Sequence, residues 1–331
     1  MDRYAWIDMH CDTLLRGNRE GADSFWDGPG HQSLKQLASS GQMAQFFAVF
    51  FPPCLDARDQ AGLRRAFPSL EGMTEDTAYF LALRGILLDQ LSAHPEAAAL
   101  ALSPAEIRRN AEKGLASAVL TIEDGRLIDG DLSRVAWLHE MGVRAIGLTW
   151  NHPNCLGYPN HPDPAVNSRG LTPFGREAVA EMNRLGILVD VSHLSDGGFF
   201  DVAQVSTKPF VASHSNARAL TPHPRNLTDE MLRTLADRGG VTGLNLLPEF
   251  TNDRGLPGTV EFLMDHARHI VRVAGEDALG IGTDFDGFDG DLQIQHPSDM
   301  PLLFRAMEKE FTPRQIEKFA SGNVLRVLEA Q

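Results

Sequence analysis

Apolar residues along this chain occur in short runs that end in polar or charged residues. Eight runs are rich in β-branched and aromatic residues and have the length of a buried strand. They cover residues 6–12, 45–51, 117–123, 144–149, 188–193, 209–214, 241–246 and 278–284. We expect each of these runs to form a β-strand.

Most of the segments between these runs have the apolar periodicity of a helix. Helices are predicted over 132–141, 174–185, 229–238 and 259–273, with a longer helix over 74–93 and a closing helix over 311–329 capped by Thr312. Strands that alternate with helices are typical of a parallel sheet with covered faces. Eight such units predict an α/β protein with a (β/α)8 TIM barrel.

An open, doubly wound sheet is the alternative architecture. No GxGxxG or GxxxxGK[ST] phosphate loop follows any of the predicted strands, which disfavours that alternative. No internal repeat, low-complexity tract or linker divides the chain. We therefore expect a single barrel domain over residues 1–331, with an insertion around 52–110 between the second and third strands.

Titratable residues end five of the predicted strands, and in a TIM barrel such positions carry the catalytic groups. The residues are His10 and Asp12 on the first strand, Glu123 on the third, His193 on the fifth, His214 on the sixth and Asp284 on the eighth. Three histidines and three carboxylates exceed the ligands of one tetrahedral zinc ion. They suit two neighbouring ions that share a carboxylate and a water.

Glu123 is the predicted bridge, because its strand lies between the first strand and the fifth and sixth. One ion would then take His10, Asp12 and Glu123, and the other would take Glu123, His193 and His214. Mixed nitrogen and oxygen ligands favour Zn²⁺, and Mn²⁺ or Co²⁺ would also fit. Two such ions activate a shared water and polarise a carbonyl, which is the chemistry of hydrolysis.

Asp284 is left over from this assignment. A carboxylate beside the ions can carry a proton to a leaving amine. It can also orient one of the ligand histidines, and the sequence leaves both interpretations open.

Composition narrows the class of protein further. The net charge is −14 and no long Lys/Arg run occurs, which argues against nucleic acid and anionic membrane surfaces as partners. No apolar run reaches the roughly 18 residues of a membrane span, and the first residues do not have the pattern of a signal peptide. Three cysteines are too few for a disulfide scaffold. A cytoplasmic enzyme is the expectation.

Six segments resemble the motifs of the membrane dipeptidase family, the M19 metallopeptidases. They are DMHCD at 8–12, TIEDG at 121–125, VDVSH at 189–193, ASHSNA at 212–217, PRNL at 224–227 and GTDFDG at 282–287. The segments follow the family order and extend over nearly the whole chain.

The resemblance implies a metallo-dependent hydrolase barrel that cleaves dipeptides by attack of a hydroxide bridging two zinc ions. It implies the same five metal ligands, a tolerance of D-residues at the C-terminal position, and a homodimer. It adds Arg225 as the group that binds the substrate carboxylate, with Asn226 beside it in the substrate site. Cys54 and Cys155 lie near cysteines that pair in extracellular members, although a reducing cytoplasm argues against a bridge here.

Two positions depart from the family pattern. Mammalian members have a histidine directly after the Leu-Thr that ends the fourth strand, whereas here Trp150 follows and His152 comes two residues later. Either His152 reaches into the substrate site from its loop, or the role of that histidine is altered. Leu247 stands where those relatives have a tyrosine that binds the carboxylate. An N-acyl-amino-acid or lactam amidohydrolase on the same metal site therefore stays open.

Overall fold

Eight parallel strands close into a barrel in the computed structural model, which describes residues 4–331. The sheet has nine strands, of which all but β3 form the ring: β1 (Trp6–Cys11), β2 (Gln42–Phe50), β3 (Ala98–Leu100), β4 (Ala116–Glu123), β5 (Val143–Gly147), β6 (Leu188–Asp190), β7 (Val211–Ala212), β8 (Val241–Leu244) and β9 (Leu279–Ile281). Pairing of β1 with both β2 and β9, and of β2 with β4, closes the ring. The predicted (β/α)8 TIM barrel is confirmed.

The short strand β3 does not belong to this ring of eight. It pairs only with the first residues of β4, from Ala116 to Ala118, before β5 joins β4 at Leu120. The sequence did not predict β3, because three residues are too few for a recognisable alternation. Strand β1 also ends one residue earlier than expected, so Asp12 lies at the start of the following helix.

Helices cover the outside of the barrel. They are α1 (Thr13–Glu20), α2 (Ala22–Asp27), α3 (Leu34–Ser39), α4 (Ala57–Ala66), α5 (Glu75–Ala93), α6 (Pro104–Glu112), α7 (Ser133–Glu140), α8 (Pro164–Asn167), α9 (Pro173–Leu185), α10 (Asp196–Val205), α11 (Asp229–Asp237), α12 (Pro248–Thr251), α13 (Val260–Ala274), α14 (Pro301–Met307), α15 (Pro313–Glu317) and α16 (Asn323–Glu329). Short 3₁₀ turns cover Gly125–Ile128 and Pro297–Asp299. Threonine side chains cap several of the helices, and Thr312 caps α15 as predicted.

The segment 52–110 contains α4, α5, β3 and α6, and several ion pairs attach it to the rest of the molecule. Arg19 of α1 lies 2.6 Å from the fully buried carboxylate of Asp59 in α4. Arg126, which follows β4, contacts both carboxylate oxygens of Asp76 at the start of α5, at 2.9 and 3.1 Å.

Apolar side chains fill the inside of the barrel, and the C-terminal helix closes its lower end. Ile7, Val119 and Val241 belong to this inner cluster, together with Val324 and Val327 of α16. A larger cluster lies between the strands and the outer helices. Within residues 4–331, none of the helices has the length and apolar character needed to cross a membrane.

Candidate functional site

The six titratable residues predicted at strand ends come together at the C-terminal end of the barrel. His10 lies in β1 and Asp12 just after it, Glu123 ends β4, His193 follows β6, His214 follows β7, and Asp284 follows β9. His193 and Asp284 have positive φ angles of 68° and 64°, which are uncommon for residues other than glycine. The chain therefore turns sharply at both positions as it leaves the strand.

Glu123 lies at the centre of this group. Its Oε2 is 3.7 Å from Nε2 of His10, and its Oε1 is 2.9 Å from Nε2 of His193 and 3.6 Å from Nε2 of His214. The two oxygens of one carboxylate thus face two different sets of imidazole nitrogens. This is the arrangement that a bridging ligand needs.

His10 and His214 link the two sides of the site. Their rings stack with centroids 3.8 Å apart and an angle of 23° between the planes. Two groups of side chains each bring their possible ligand atoms within 4.8 Å of one another. One group is formed by His10, Glu123 and His214, and the other by His10, Asp12 and Asp284. His10 is common to both groups. His193, one of the five expected ligands, belongs to neither, although its Nε2 lies 2.9 Å from Oε1 of Glu123.

The electrostatics of the site favour a cation. Burial alone would lower the pKa of His10, but the charges of Glu123, Asp12 and Asp284 outweigh it and raise the pKa to about 10. Burial, together with the charge of Asp12, holds the pKa of Glu123 well above its usual range. The buried Nε2 of His10 and Oδ1 of Asp12 have no hydrogen-bond partner among the described residues. Nitrogen and oxygen atoms that have no hydrogen-bond partner and lie among several carboxylates are suitable ligands for divalent metal ions.

The other two histidines have the neutral form that metal ligands require. Burial lowers the pKa of both His193 and His214 well below the usual value of an imidazole. The Nδ1 atom of His193 lies 3.0 Å from Oδ1 of Asn151. A bond at one imidazole nitrogen leaves the other available to a metal ion, so Asn151 orients His193.

Asp284 is held by Asn245, another residue that the sequence did not reveal as functional. Nδ2 of Asn245 donates to Oδ2 of Asp284 at 2.9 Å, while Oδ1 of Asp284 lies 3.8 Å from Nε2 of His10. Burial raises the pKa of Asp284 to about 6. One oxygen is therefore fixed, and the other faces His10. The only sequence signal for Asn245 is its place at the end of a predicted strand.

A cavity of about 200 Å³ lies above these residues. Its apolar wall is formed by Leu15, Phe50, Trp150, Leu247 and Phe250, and its polar wall includes Asp12, Glu123, Asn151, His193, Asp284 and Asp286. The two positions that depart from the family pattern, Trp150 and Leu247, thus both line this cavity.

Arg225 lies buried beside the cavity. Its Nη1 donates to Oγ of Ser215 at 3.0 Å, its Nη2 donates to the carbonyl oxygen of His214 at 3.2 Å, and its Nε has no partner among the described residues. The guanidinium also packs over the ring of Phe250, 5.4 Å from its centroid. Both hydrogen-bond acceptors are neutral. Burial lowers the pKa of Arg225, and the nearby charges of Asp284, Glu123 and Asp190 act in the opposite direction.

Two other predicted substrate residues lie elsewhere. His152 is exposed and lines a separate cavity with Arg126 and Asn154. The amide of Asn226 is fully buried and engaged within the protein, donating to the carbonyl oxygens of Thr221 and Phe250 at 3.0 Å each. It therefore holds the loop that carries Arg225. Cys54 and Cys155 are free cysteines.

A (β/α)8 barrel with histidines and carboxylates gathered at its C-terminal end defines a metal-dependent hydrolase. Comparison with known proteins identifies the family. The model of the membrane dipeptidase family, peptidase family M19, matches residues 1–331. The crystal structure of a metallopeptidase from Rhodobacter sphaeroides, liganded with a phosphinate mimic of the dipeptide L-Ala-D-Ala, is 32% identical, covers 99% of each chain and gives a TM-score of 0.87.

Two further relatives agree with this match. The structure of dipeptidase AC, a metallopeptidase of family M19, is 31% identical over 99% of this chain and 98% of that chain, with a TM-score of 0.85. Dipeptidase tcpJ of Claviceps purpurea is 30% identical over 332 residues, which cover 98% of this chain and 73% of the relative. The chain belongs to the membrane dipeptidase family M19, and it is a metallopeptidase that hydrolyses peptide bonds.

Proposed function

We propose that this chain is a two-zinc dipeptidase in which Glu123 bridges the metal ions. The observation that carries the proposal is the position of Glu123, whose two carboxylate oxygens face His10 on one side and His193 and His214 on the other. His10, Asp12 and Glu123 would hold the first ion, and Glu123, His193 and His214 the second. The three imidazoles and two carboxylates form a donor set that suits zinc.

When bound, the two ions supply an activated water and polarise the scissile carbonyl. The protein supplies the other steps. Asp284, held at Oδ2 by Asn245, would take up a proton on its other oxygen and deliver it to the departing amine. The apolar wall around Trp150 and Phe250 limits water at the reacting bond.

The substrate is a free dipeptide bound by its C-terminal carboxylate. The unpaired charge of Arg225 and the fork geometry of its guanidinium suit a carboxylate. The cavity of about 200 Å³ has the size of two small residues. The Rhodobacter sphaeroides relative binds a mimic of L-Ala-D-Ala, which supports acceptance of a D-residue at the C-terminal position.

Hydrolysis of a panel of L-Xaa-L-Xaa and L-Xaa-D-Xaa dipeptides tests the proposal, with the metal content measured on the same samples. We expect cleavage with about two zinc ions per chain, and loss of both in Glu123→Gln. Glu177→Gln, which alters an exposed glutamate on α9, is the matched control and keeps both. Wild-type protein that binds fewer than two ions, or a Glu123→Gln variant that retains them, contradicts the bridging role.

N-acetylated dipeptides and N-acyl amino acids distinguish the second candidate function. The observation that favours it is the cavity wall, where Trp150 and Leu247 replace the polar side chains of the mammalian members. A dipeptidase requires the free α-amine of the substrate, whereas an amidohydrolase does not. Two bound zinc ions with turnover of only the acylated compounds or of lactams would assign the amidohydrolase activity.

A homodimer and a cytoplasmic location remain predictions from the family resemblance and the composition. Light scattering on the purified protein measures the first, and fractionation of cells that produce the chain measures the second. A monomeric mass at the concentration used in the activity assay would exclude the dimer as the active form.

A further inference from the structure

A buried carboxylate lies beneath the metal centre and takes no part in the proposed reaction. Asp190 ends β6 and is 8% exposed. Its Oδ1 accepts hydrogen bonds from the backbone N–H groups of Ser192 and Ser213, both at 2.9 Å. Its Oδ2 accepts a hydrogen bond from Oγ of Ser213 at 2.5 Å. Each oxygen of this carboxylate therefore has a defined donor.

The hydroxyl of Ser213 also contacts the ring of His214, the residue that follows it. Oγ of Ser213 is 2.7 Å from Nδ1 of His214, and both side chains are almost completely buried. A serine hydroxyl has one hydrogen, and a carboxylate can only accept. Since that hydrogen points to Asp190, Nδ1 of His214 must carry a hydrogen and donate it to Oγ.

We infer that Asp190 and Ser213 are positioning residues that fix the tautomer of His214. The inference rests on the proposed function, in which Nε2 of His214 is a metal ligand. With the hydrogen on Nδ1, the lone pair of Nε2 faces Glu123 and His193, 3.6 and 3.2 Å away. Partners of this kind raise the basicity of a ligand histidine, and their loss weakens metal binding about 10- to 100-fold.

The two imidazoles of the second ion differ in how they are held. His193 is oriented by Asn151, an exposed residue in the loop after β5. His214 is oriented by a buried chain of hydrogen bonds that ends on a charged group. The buried chain at His214 excludes the alternative tautomer of that ring. At His193, by contrast, water can take the place of the exposed amide of Asn151.

Substitution of Asp190 by asparagine should change the tautomer of His214, and a purely structural role of Asp190 would not produce this change. In Asp190→Asn, the amide oxygen must take the place of Oδ1, because two N–H groups point at that position. The amide NH₂ then faces Ser213 and donates to its Oγ. The hydroxyl hydrogen then points at Nδ1 of His214, 2.7 Å away, which is nearer than the other acceptor, Oγ of Ser192 at 3.4 Å. The hydrogen of the imidazole therefore moves to Nε2 and blocks the metal ligand.

The experiment compares wild type, Ser213→Ala and Asp190→Asn, with Ser206→Ala as the control. Ser206 is equally buried, and its hydroxyl bonds to Asn183 and Lys208, remote from the metal centre. Zinc dissociation constants are measured by competition with a chelator. The tautomer of His214 is read from ¹⁵N chemical shifts of histidine-labelled, metal-free protein, and thermal unfolding confirms that each variant is folded.

We expect Ser213→Ala to weaken one of the two zinc sites about 10- to 100-fold and Asp190→Asn to weaken it more. We also expect the Nδ1–H tautomer of His214 in wild type and in Ser206→Ala, and the Nε2–H tautomer in Asp190→Asn. An unchanged tautomer in Asp190→Asn, or zinc affinities equal to wild type, would overturn the inference. If Ser213→Ala does not fold, the nearly isosteric Asp190→Asn decides.

Failure of the proposed function gives a different result. Wild-type protein that binds fewer than two zinc ions refutes the metal assignment, while the tautomer measurement on metal-free protein still tests the role of Asp190 and Ser213. Wild-type protein with two ions and an unchanged Asp190→Asn variant refutes only the positioning role.

Discussion

At the scale of single residues, the proposed role of Arg225 in substrate binding rests on its burial and its hydrogen bonds. Arg225 is 5% exposed, and its hydrogen bonds go to a hydroxyl and a carbonyl oxygen. Among the described residues no carboxylate forms an ion pair with this guanidinium, and Asp284, Glu123 and Asp190 act on it only through their nearby charges. A ligand carboxylate can therefore bind it directly. The carboxylate of a dipeptide would do so directly beside the metal centre.

Replacing Arg225 by methionine should raise the KM for free dipeptides about 10- to 100-fold, because one charge-assisted hydrogen bond contributes about 1.5–3 kcal/mol. The matched substrate is the same dipeptide with a C-terminal amide, for which wild type and Arg225→Met should differ by less than about threefold. Steady-state kinetics on the two substrates give both numbers. An equal rise in KM for the amide would show that Arg225 does not recognise the carboxylate.

His266 in α13 has a different role, since it is a buried histidine that is used for structure. Its Nδ1 accepts a hydrogen bond from the N–H of Ala217 at 3.1 Å, and its Nε2 donates to the carbonyl oxygen of Thr251 at 3.1 Å. Burial lowers its pKa to about 4. The ring is therefore neutral in the folded protein, and its protonation must break the bond from Ala217.

The pH dependence of folding should report this histidine. In the unfolded chain His266 takes up a proton near pH 6.5, whereas in the folded protein it does so only near pH 4. Stability is therefore complete above pH 6.5 and is lost as the pH falls, by about 2 kcal/mol at pH 5. Urea unfolding of wild type and His266→Gln at pH 7.5 and 5 measures the difference. Parallel losses in the two proteins would mean that His266 titrates normally.

The sequence revealed site residues only where a local pattern marks them. His10 and Glu123 stand out because each ends an apolar run. Asn151 and Asn245 act through partners that are distant in the chain, His193 and Asp284, and no spacing rule connects these pairs. The residues that hold the site side chains in place depend on which strand ends are neighbours. That arrangement is known only once the barrel is closed.

At the scale of elements, the inserted helices illustrate how close packing decides the effect of a methyl group. Gly62 lies in α4 where a Cβ atom would overlap the backbone carbonyl oxygen of Asn18 in α1. Gly85 lies in the interior of α5, and a Cβ atom there would meet no heavy atom within 4 Å. The two glycines therefore differ in surroundings although both lie within helices.

We expect Gly62→Ala and Gly85→Ala to change stability in opposite directions. Overpacking at Gly62 should lower the free energy of unfolding by about 1–3 kcal/mol. Removal of glycine flexibility from the middle of α5 should raise it by about 0.5–1 kcal/mol. Denaturant unfolding of both variants beside wild type gives the two signs. A Gly62→Ala variant as stable as wild type would mean that α1 and α4 can separate without cost.

Short elements were predicted least well. Strand β3, which the sequence did not predict, has three residues, and the strand predicted over 209–214 is reduced to two residues in β7, Val211–Ala212. The closing helix predicted over 311–329 is interrupted by a π-helical turn at Lys318–Gly322. Such a turn keeps the apolar pattern nearly helical while it rotates the following residues, so Val324 can point into the lower end of the barrel.

At the scale of the whole molecule, the fold followed from alternation of strands and helices, but closure of the sheet did not. An open sheet has the same alternation, and the pairing of β2 with β4 over Ala44–Phe50 is what excludes it. That pairing also brings Glu123 across from β1, beside His10. The metal centre therefore exists only in the closed barrel, and no part of the chain can form it separately.

Removal of metal should consequently weaken the whole fold. The metal-free centre keeps Asp12, Glu123 and Asp284 buried close together. Ligands that bind only the folded state stabilise it, by about 2.7 kcal/mol per site at a free zinc concentration 100 times the Kd. Two sites should raise the melting temperature by about 5 °C or more over protein treated with a chelator.

Glu123→Gln separates metal binding from other effects of the chelator. This variant removes the bridging carboxylate, so its melting temperature should not respond to zinc.

In metal-free protein near pH 8, Glu123→Gln should also melt above wild type, because it relieves the cost of burying Glu123 beside Asp12. The raised pKa of Glu123 shows this cost. Scanning calorimetry of both proteins, with and without zinc, tests this. A zinc response in Glu123→Gln equal to that of wild type would place the stabilising ions elsewhere on the molecule. If Glu123→Gln instead melts above wild type without zinc and below it with zinc, the closed barrel buries unfavourable charge at its centre. Metal binding then offsets the cost of that burial.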